Sequence, residues 1–174
     1  MIVAAYMREF SGLKDVWFVV SPENPLKDKK SLLPEHHRLM LLKIAIEDDP
    51  LFRVSDIEFK LPKPSFTIDT LTYLSELYPE KKFVIITGSD IFPTFHKWKN
   101  HQVLLDEYQF YVYNRPGYQL GEYKNHPHIR FFDAPLMQIS SSFIRKSIKE
   151  RKDVRYMLPP KVWQYIREMH FYEK

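Results

Sequence analysis

The sequence predicts an α/β protein with a mostly parallel β-sheet. Short β-rich runs alternate along the chain with segments of helical periodicity, and one run, KFVIIT at residues 82–87, is apolar almost throughout. Such alternation is typical of βαβ units, and a continuous apolar run is typical of a strand that is buried on both faces. Each predicted strand also ends in polar or turn residues, which a parallel sheet gathers at one edge.

The elements before KFVIIT follow from periodicity and from turn residues. Residues 1–7 form an apolar helical segment without a side-chain N-cap, and Gly12 stands where a helix C-terminus would place it. The further elements are a strand at residues 15–20, a helix at 34–48, a strand at 52–59, a proline-containing loop at 61–66 and a helix at 67–78. Thr67 is predicted to be the N-cap of the last helix.

The second half of the chain continues the alternation. A short helix is predicted at residues 100–107, strands at 109–114 and 129–133, and helices at 140–150 and 159–170. The sequence Arg115-Pro116-Gly117 ends the first of these strands, and APLMQISSS follows the second.

Composition narrows the class of protein. A chain of 174 residues with 44% hydrophobic residues predicts one globular domain covering residues 1–174. The lack of cysteine excludes a disulfide scaffold and thiolate chemistry, and it suits a reducing cytoplasm. No stretch reaches membrane-spanning length, and the net charge of +4 is too small to indicate more than solubility or a mild preference for anions. We therefore expect a cytoplasmic protein without a membrane or nucleic-acid partner.

Two motifs predict phosphate and nucleotide contacts. In ISSSFIRKS, three serines open a helix and Arg145 follows about one turn later, which combines free helix amides, hydroxyl donors and a guanidinium group. In GSD, Gly88 allows close approach to the backbone after a buried strand, and Asp90 can accept from ribose hydroxyls. An ordinary serine N-cap and a simple β-to-α turn remain the alternative interpretations.

Three further motifs predict a pocket for a flat, charged substrate. Trp98 in FHKWKN offers an aromatic face for stacking, and Thr67 to Thr70 in PSFTIDTL crowd a helix start whose amides can bind a carboxylate. Lys27 in NPLKDKK can hold a phosphate. Core packing, plain helix capping and a solvated basic loop are the corresponding alternatives.

Taken in order, these motifs resemble the bacterial nicotinate-nucleotide adenylyltransferases of the nucleotidyltransferase α/β phosphodiesterase superfamily. The similarity runs from Ile2 to the final MHFYEK, and its most specific parts are SFTIDTL, GSD followed by FHKW, YNRPG and ISSSFIR. It implies a Rossmann-like α/β/α sandwich. It also implies adenylyl transfer from ATP to nicotinate mononucleotide, which gives deamido-NAD and pyrophosphate, with Mg²⁺ accompanying ATP and held by substrate and water.

The resemblance also assigns the site residues. The predicted ATP-binding residues are Gly88, Asp90, Ile139, Ser140, Ser141, Ser142 and Arg145. Ser142 and Arg145 are in addition the predicted catalytic residues. The predicted residues for the nicotinate nucleotide are Lys27, Thr67, Asp69, Thr70 and Trp98. No residue is predicted to ligate a metal directly.

One departure from the family pattern is large. The family has a first strand, a Gly-Ser-Phe-x-Pro loop and a His-x-Gly-His element, and residues 1–174 contain none of them. We therefore expect an N-terminally truncated domain that lacks a central strand, and that is loosely packed and nearly inactive. The alternatives are an inactive nucleotide-binding fragment and a sister adenylyltransferase such as the pantetheine-phosphate enzyme. The sequence leaves the oligomeric state open.

Overall fold

The computed structural model describes residues 1–22, 32–118, 121–136 and 138–173. Its helices are α1 (Ile2–Ser11), α2 (Glu35–Ile46), α3 (Thr67–Leu77), α4 (Phe92–Phe95), α5 (His101–Glu107), α6 (Ser141–Lys149) and α7 (Pro160–Glu168). Its strands are β1 (Val16–Val19), β2 (Phe52–Ser55), β3 (Val84–Gly88), β4 (Gln109–Tyr113) and β5 (Ile129–Phe132). Short 3₁₀ turns lie at Ile57–Lys60, Ser89–Ile91, Gly121–Asn125 and Arg155–Met157. The predicted α/β alternation is confirmed.

The strand pairs of the described residues are parallel throughout. β1 pairs with β2, and β4 lies between β3 and β5. These strands form two sheets, and a cavity of about 870 Å³ lies between β1 and β3. Trp17 and Val19 line it from β1, and Val84 and Ile86 line it from β3. The described strands thus form two parallel sheets whose edge strands β1 and β3 both line one cavity.

Three clusters of buried side chains join the helices to the strands. The largest contains residues of α3, α4, α5, β4 and β5, with Phe95, Leu104, Phe110 and Val112 fully buried. A second joins α6 and α7 and receives apolar residues of α2. A third joins β1 and β2 to α2, and Ile86 of β3 packs against it. Helices therefore cover both sheets, as a Rossmann-like fold requires.

The structure corrects three details of the predicted elements. The strand predicted at residues 52–59 ends at Ser55, and a 3₁₀ turn replaces its second half because the carboxylate of Glu58 is buried there by hydroxyl donors. Thr67 is the first residue of α3 and not its N-cap, which is Phe66. β3 is half-buried along most of its length and not buried on both faces, since one of its edges lies against the cavity.

Helix α1 follows the sequence closely. It has no side-chain hydrogen bond at its N-terminus, and it ends at Gly12, whose φ of 81° lies in the left-handed region that favours glycine. Arg8 from its last turn contacts Asp49 beyond α2 at 2.5 Å. Within the described ranges, no helix has the length and apolar character needed to cross a membrane.

Candidate active site

The start of α3 presents backbone amides that no side chain caps. Phe66, in extended conformation, precedes the helix, and its carbonyl accepts the amide of Thr70 at 3.1 Å. The preceding amides, from Thr67 to Asp69, belong to the first turn and have no partner further back in the helix. No side-chain cap forms at this end of α3. Such a helix start is suited to a carboxylate, because amide donors and the positive end of the helix dipole coincide.

The polar side chains at this helix start have different surroundings. Asp69 accepts both of its hydrogen bonds from Lys99, at 2.8 and 2.9 Å, so its negative charge is compensated. Thr70 is buried, and its hydroxyl donates to Glu58 at 2.9 Å. Thr67 and Asp69 are half-buried and border the surface, whereas the Thr70 side chain points into the protein.

Trp98 lies beside this helix start. Its indole ring packs on Phe95 with 5.3 Å between ring centroids, and it borders the same core cluster as Phe66. Lys99, the next residue, joins Asp69 and also lies 5.0 Å from the centre of the Phe66 ring. The segment that contains Trp98 is therefore joined to the first turn of α3 through Lys99 and Asp69.

The GSD motif lies at the carboxyl end of β3 and contacts the end of β4. A Cβ atom at Gly88 would lie 2.3 Å from Asp90 Oδ1, so this position tolerates only glycine without movement of the carboxylate. The Ser89 hydroxyl accepts the amide of Arg115 at 2.8 Å. Asp90 and Arg115 form an ion pair at 3.8 Å, and the two side chains are 43% and 44% exposed. The Asp90 carboxylate is therefore open to a ligand from solvent while its ion pair with Arg115 limits its movement.

The start of α6 carries the residues from which the sequence predicts a phosphate site. Ser140 is its N-cap and accepts the amide of Phe143 at 3.1 Å, so the ordinary serine N-cap named above as the alternative interpretation is present. Arg145 donates to the Ser142 hydroxyl at 3.1 Å, which holds the guanidinium close to the helix start. The residues from Ile139 to Ser142 are exposed. The N-terminal start of α6 therefore offers free amides, hydroxyls and one cation to an anion.

A second arginine lies near Arg145. Burial raises the pKa of the Tyr172 phenol, and the charges of Arg145 and Arg38 oppose this rise, so both guanidinium groups lie within electrostatic range of one ring. Arg38 donates to the carbonyls of Ser21 and Pro22, directly after β1, and to the carbonyl of Leu33. Arg38 thus ties α2 to the chain that follows β1.

Sequence reasoning missed several residues around these motifs. Arg115 lies within YNRPG at the end of a strand, so its position in that motif could have identified it as a site residue. Arg38 and Lys99 look like surface cations in the sequence, and Glu58 occupies a position that the alternating pattern assigns to solvent. The remaining predicted residue, Lys27, lies outside the described residues.

The described His, Asp and Glu side chains are the possible ligands for a metal ion. Among residues 1–22, 32–118, 121–136 and 138–173, no three His, Asp or Glu side chains converge as a metal site would need. The carboxylate nearest the nucleotide motifs is that of Asp90, which is paired with Arg115. This donor set suits an ion whose ligands come mainly from a bound nucleotide and from water.

The chain is similar to a family of known proteins and to individual members of it. A family model described as cytidylyltransferase-like matches residues 3–147. A protein of Flavobacterium johnsoniae named as a probable nicotinate-nucleotide adenylyltransferase is 48% identical over 176 residues, which cover 100% of this chain and 91% of the relative. A protein of the same name from Bacteroides thetaiotaomicron is 45% identical, covering 97% of this chain and 83% of the relative.

The fold is also similar to solved structures. The nicotinic acid mononucleotide adenylyltransferase of Plasmodium falciparum, solved in complex with NaAD, superposes with a TM-score of 0.80 at 22% sequence identity. The superposition covers 99% of this chain and 89% of that chain. At this identity the likeness concerns the fold, and it agrees with the Rossmann-like architecture seen in the strands and helices.

Proposed function

This chain belongs to the cytidylyltransferase-like family and, within it, to the nicotinate-nucleotide adenylyltransferases, and we propose the following reaction for it. The enzyme transfers the adenylyl group of ATP to nicotinate mononucleotide. The 5′-phosphate oxygen of the mononucleotide forms a bond to the α-phosphorus of ATP. The bond from that phosphorus to the bridging oxygen breaks, pyrophosphate leaves and deamido-NAD is formed. Residues 1–174 act as one domain in this proposal.

The nicotinate pocket is the observation that carries this proposal. Trp98 and the residue before the uncapped α3 start, Phe66, border the same core cluster, and Lys99, which follows Trp98, binds Asp69 in the first turn of α3. A pyridine ring that bears a carboxylate matches both Trp98 and the α3 start, because the ring stacks while the carboxylate accepts amide hydrogen bonds. Lys99 compensates the charge of Asp69, which would otherwise repel that carboxylate. Thr67 and Asp69 contribute through their positions in the first turn, and Thr70 contributes from inside the protein.

ATP lies across the carboxyl ends of the strands in this proposal. Gly88 allows the nucleotide to approach the backbone, and Asp90 accepts from ribose hydroxyls. The phosphates bind at the start of α6, where Ile139, Ser140 and Ser141 lead into the helix and Ser142 and Arg145 add donors. Lys27 is proposed to hold the phosphate of the mononucleotide.

Catalysis then depends on position and charge. Arg145 and the amides of α6 stabilise the negative charge that grows on the phosphates as the bond to pyrophosphate breaks. Ser142 orients Arg145 through the hydrogen bond between them. Mg²⁺ accompanies ATP and supplies further charge neutralisation, with phosphate oxygens and water as its main ligands.

The test is a pyrophosphate-release assay with product identification. We expect ATP, Mg²⁺ and nicotinate mononucleotide to yield pyrophosphate and deamido-NAD in equal amounts. Two parallel reactions contain nicotinamide mononucleotide or phosphopantetheine as the acceptor. Turnover with phosphopantetheine alone would assign the chain to a sister adenylyltransferase.

A second candidate is a nucleotide-binding protein without transfer activity. The divided sheet favours it, because the two facing strand edges lie against a cavity and hold the site less firmly than one continuous sheet would. Calorimetric titration with ATP and with nicotinate mononucleotide separates the candidates. Binding of both without pyrophosphate release would contradict the proposed reaction.

A further inference from the structure

A buried hydrogen-bond network lies behind the start of α3. Its centre is Glu58, a carboxylate that is only 8% exposed. Ser65 donates to one of its oxygens at 2.5 Å and Thr70 donates to the other at 2.9 Å. Ser65 and Thr70 are themselves buried. In the described part of the chain, no Lys, Arg or His forms an ion pair with Glu58.

Burying a carboxylate is costly, so the hydrogen bonds that Glu58 accepts from Ser65 and Thr70 call for a reason. Removing a charge from water destabilises the fold unless hydrogen bonds compensate. A carboxylate has one property that a neutral amide lacks, since both of its oxygens only accept. Glu58 therefore fixes both hydroxyls as donors that point toward it, which leaves one orientation for each side chain.

The two hydroxyls lie on either side of the α3 start. Ser65 belongs to the loop that leads into the helix, and Thr70 follows the three amides of the first turn. Ile68 and Leu71 hold the apolar side of the helix in the core. The bonds to Glu58 fix the remaining degrees of freedom, namely the rotation of the helix start about its axis and the path of the chain into it.

We propose that Glu58 is a positioning residue, which aims the amides of Thr67, Ile68 and Asp69 at the carboxylate of the nicotinate nucleotide. The proposal rests on the proposed function for the identity of that ligand. Glu58 does not touch the ligand in it. Glu58 acts through Ser65 and Thr70, which lie at the start of α3. A change at Glu58 should therefore alter the binding of nicotinate mononucleotide and leave the binding of ATP unchanged.

The chain offers a matched pair of threonines for the test. Thr70 and Thr72 lie in the same helix, and each hydroxyl oxygen lies within hydrogen-bond distance of a carbonyl four residues earlier, at 3.1 and 2.9 Å. The single proton of Thr72 goes to that carbonyl, whereas the proton of Thr70 goes to Glu58, which is closer. Only Thr70 also reaches Glu58. Thr70→Val therefore removes one donor from Glu58, whereas Thr72→Val serves as the control. Glu58→Gln keeps one accepting oxygen, and Glu58→Leu keeps none.

Steady-state kinetics and hydrogen–deuterium exchange give independent readouts. For Thr70→Val we expect KM for nicotinate mononucleotide to rise about tenfold, the effect of losing one buried hydrogen bond, with kcat and KM for ATP nearly unchanged. Glu58→Gln should lie between the wild type and Glu58→Leu. In the ligand-free protein, the amide at position 70, whose hydrogen bond to the Phe66 carbonyl closes the first turn, should exchange faster in Thr70→Val and Glu58→Leu but not in Thr72→Val.

The outcomes separate this proposal from the proposed function. Equal rises in KM for both substrates, or a uniform increase of exchange across the protein, would mean that Glu58 has only a structural role. A wild type that forms no deamido-NAD would contradict the proposed function, and the exchange data on the ligand-free protein would still decide the role of Glu58. Unchanged exchange of the amide at position 70 in both Thr70→Val and Glu58→Leu would overturn the role proposed for Glu58.

Discussion

Trp98 allows a test of the nicotinate pocket with a single side chain. We expect Trp98→Ala to raise KM for nicotinate mononucleotide far more than KM for ATP, because stacking on an aromatic ring is worth about 1–3 kcal/mol per base in nucleic-acid complexes. Trp98→Phe keeps an aromatic face and should restore part of the loss. Initial rates at varied concentrations of each substrate measure the effect.

The control for this substitution is Trp163→Ala. Trp163 is also half-buried, but it packs against the cluster of α6 and α7 and lies near Arg167. It should affect stability without a preference between substrates. A change of equal size in both KM values for Trp98→Ala would assign Trp98 to core packing.

Arg145 is the corresponding residue on the ATP side. Arg145→Ala should weaken the use of ATP by about 1.5–3 kcal/mol in kcat/KM, the range for a hydrogen bond to a charged group. Arg145→Lys keeps the positive charge but loses the planar guanidinium group, so its kcat/KM for ATP should lie between those of Arg145→Ala and the wild type. Lys149→Ala, on the exposed face of the same helix, is the control. Wild-type kinetics with ATP in Arg145→Ala would remove Arg145 from the site.

Strand β1 shows how an element depends on its neighbours. The amides of Val16 and Val20 donate to carbonyls of Leu51 and Ser55 on the β2 side. Alternate amides of a strand point to opposite sides, so those of Trp17 and Val19 face the cavity. We expect these two amides to exchange with deuterium faster than those of Val16 and Val20. Equal protection at all four amides would show that this edge of β1 is covered in solution.

Arg38 of α2 stabilises the connection between elements. Its guanidinium donates to three carbonyls, two directly after β1 and one directly before α2. Arg38→Gln should lower the free energy of unfolding by about 1.5–3 kcal/mol, since hydrogen bonds from a charged donor are lost. Urea unfolding measures the change. Arg53→Gln, which removes a more exposed arginine paired with Asp15, should change stability much less.

The whole molecule should lose stability in acid through its paired carboxylates. A hydrogen bond from Arg8 lowers the pKa of Asp49, and a hydrogen bond from Arg155 lowers the pKa of Asp153. A carboxyl group whose pKa is lower in the folded than in the unfolded protein stabilises the fold at every pH above its unfolded-state pKa, which is about 4. This stabilisation is lost as the pH falls through the pKa of the folded state. The urea midpoint should thus be steady from about pH 7 to 5 and fall below about pH 4.

The Arg8→Gln variant isolates one of these pairs. Without the guanidinium, the pKa of Asp49 returns toward its ordinary value, so the stability difference between wild type and variant should shrink as the pH falls below about 4. Contact of Arg8 with the Phe52 ring leaves a part of the difference that does not depend on pH. A stability difference that stays constant from pH 7 to 3 would contradict the role given to the ion pair.

The sequence by itself determined the kind and order of the elements. Periodicity depends only on neighbouring residues, so it located helices such as α6 and strands such as β4 to within a residue or two at each end. Local chemistry also marked Gly12 as the end of α1 and the three serines as the start of α6, because each signal needs only the backbone next to it.

Only the tertiary structure decided which distant groups meet. Lys99 reaches Asp69 across 30 residues and Arg38 reaches Ser21 across 17, distances over which no periodicity carries information. Glu58 was assigned to a strand by its alternating neighbours, yet two hydroxyls that follow it in sequence bury its carboxylate and turn the chain at Ser55. Burial of a charge depends on partners that packing supplies, and partners are a property of the folded molecule.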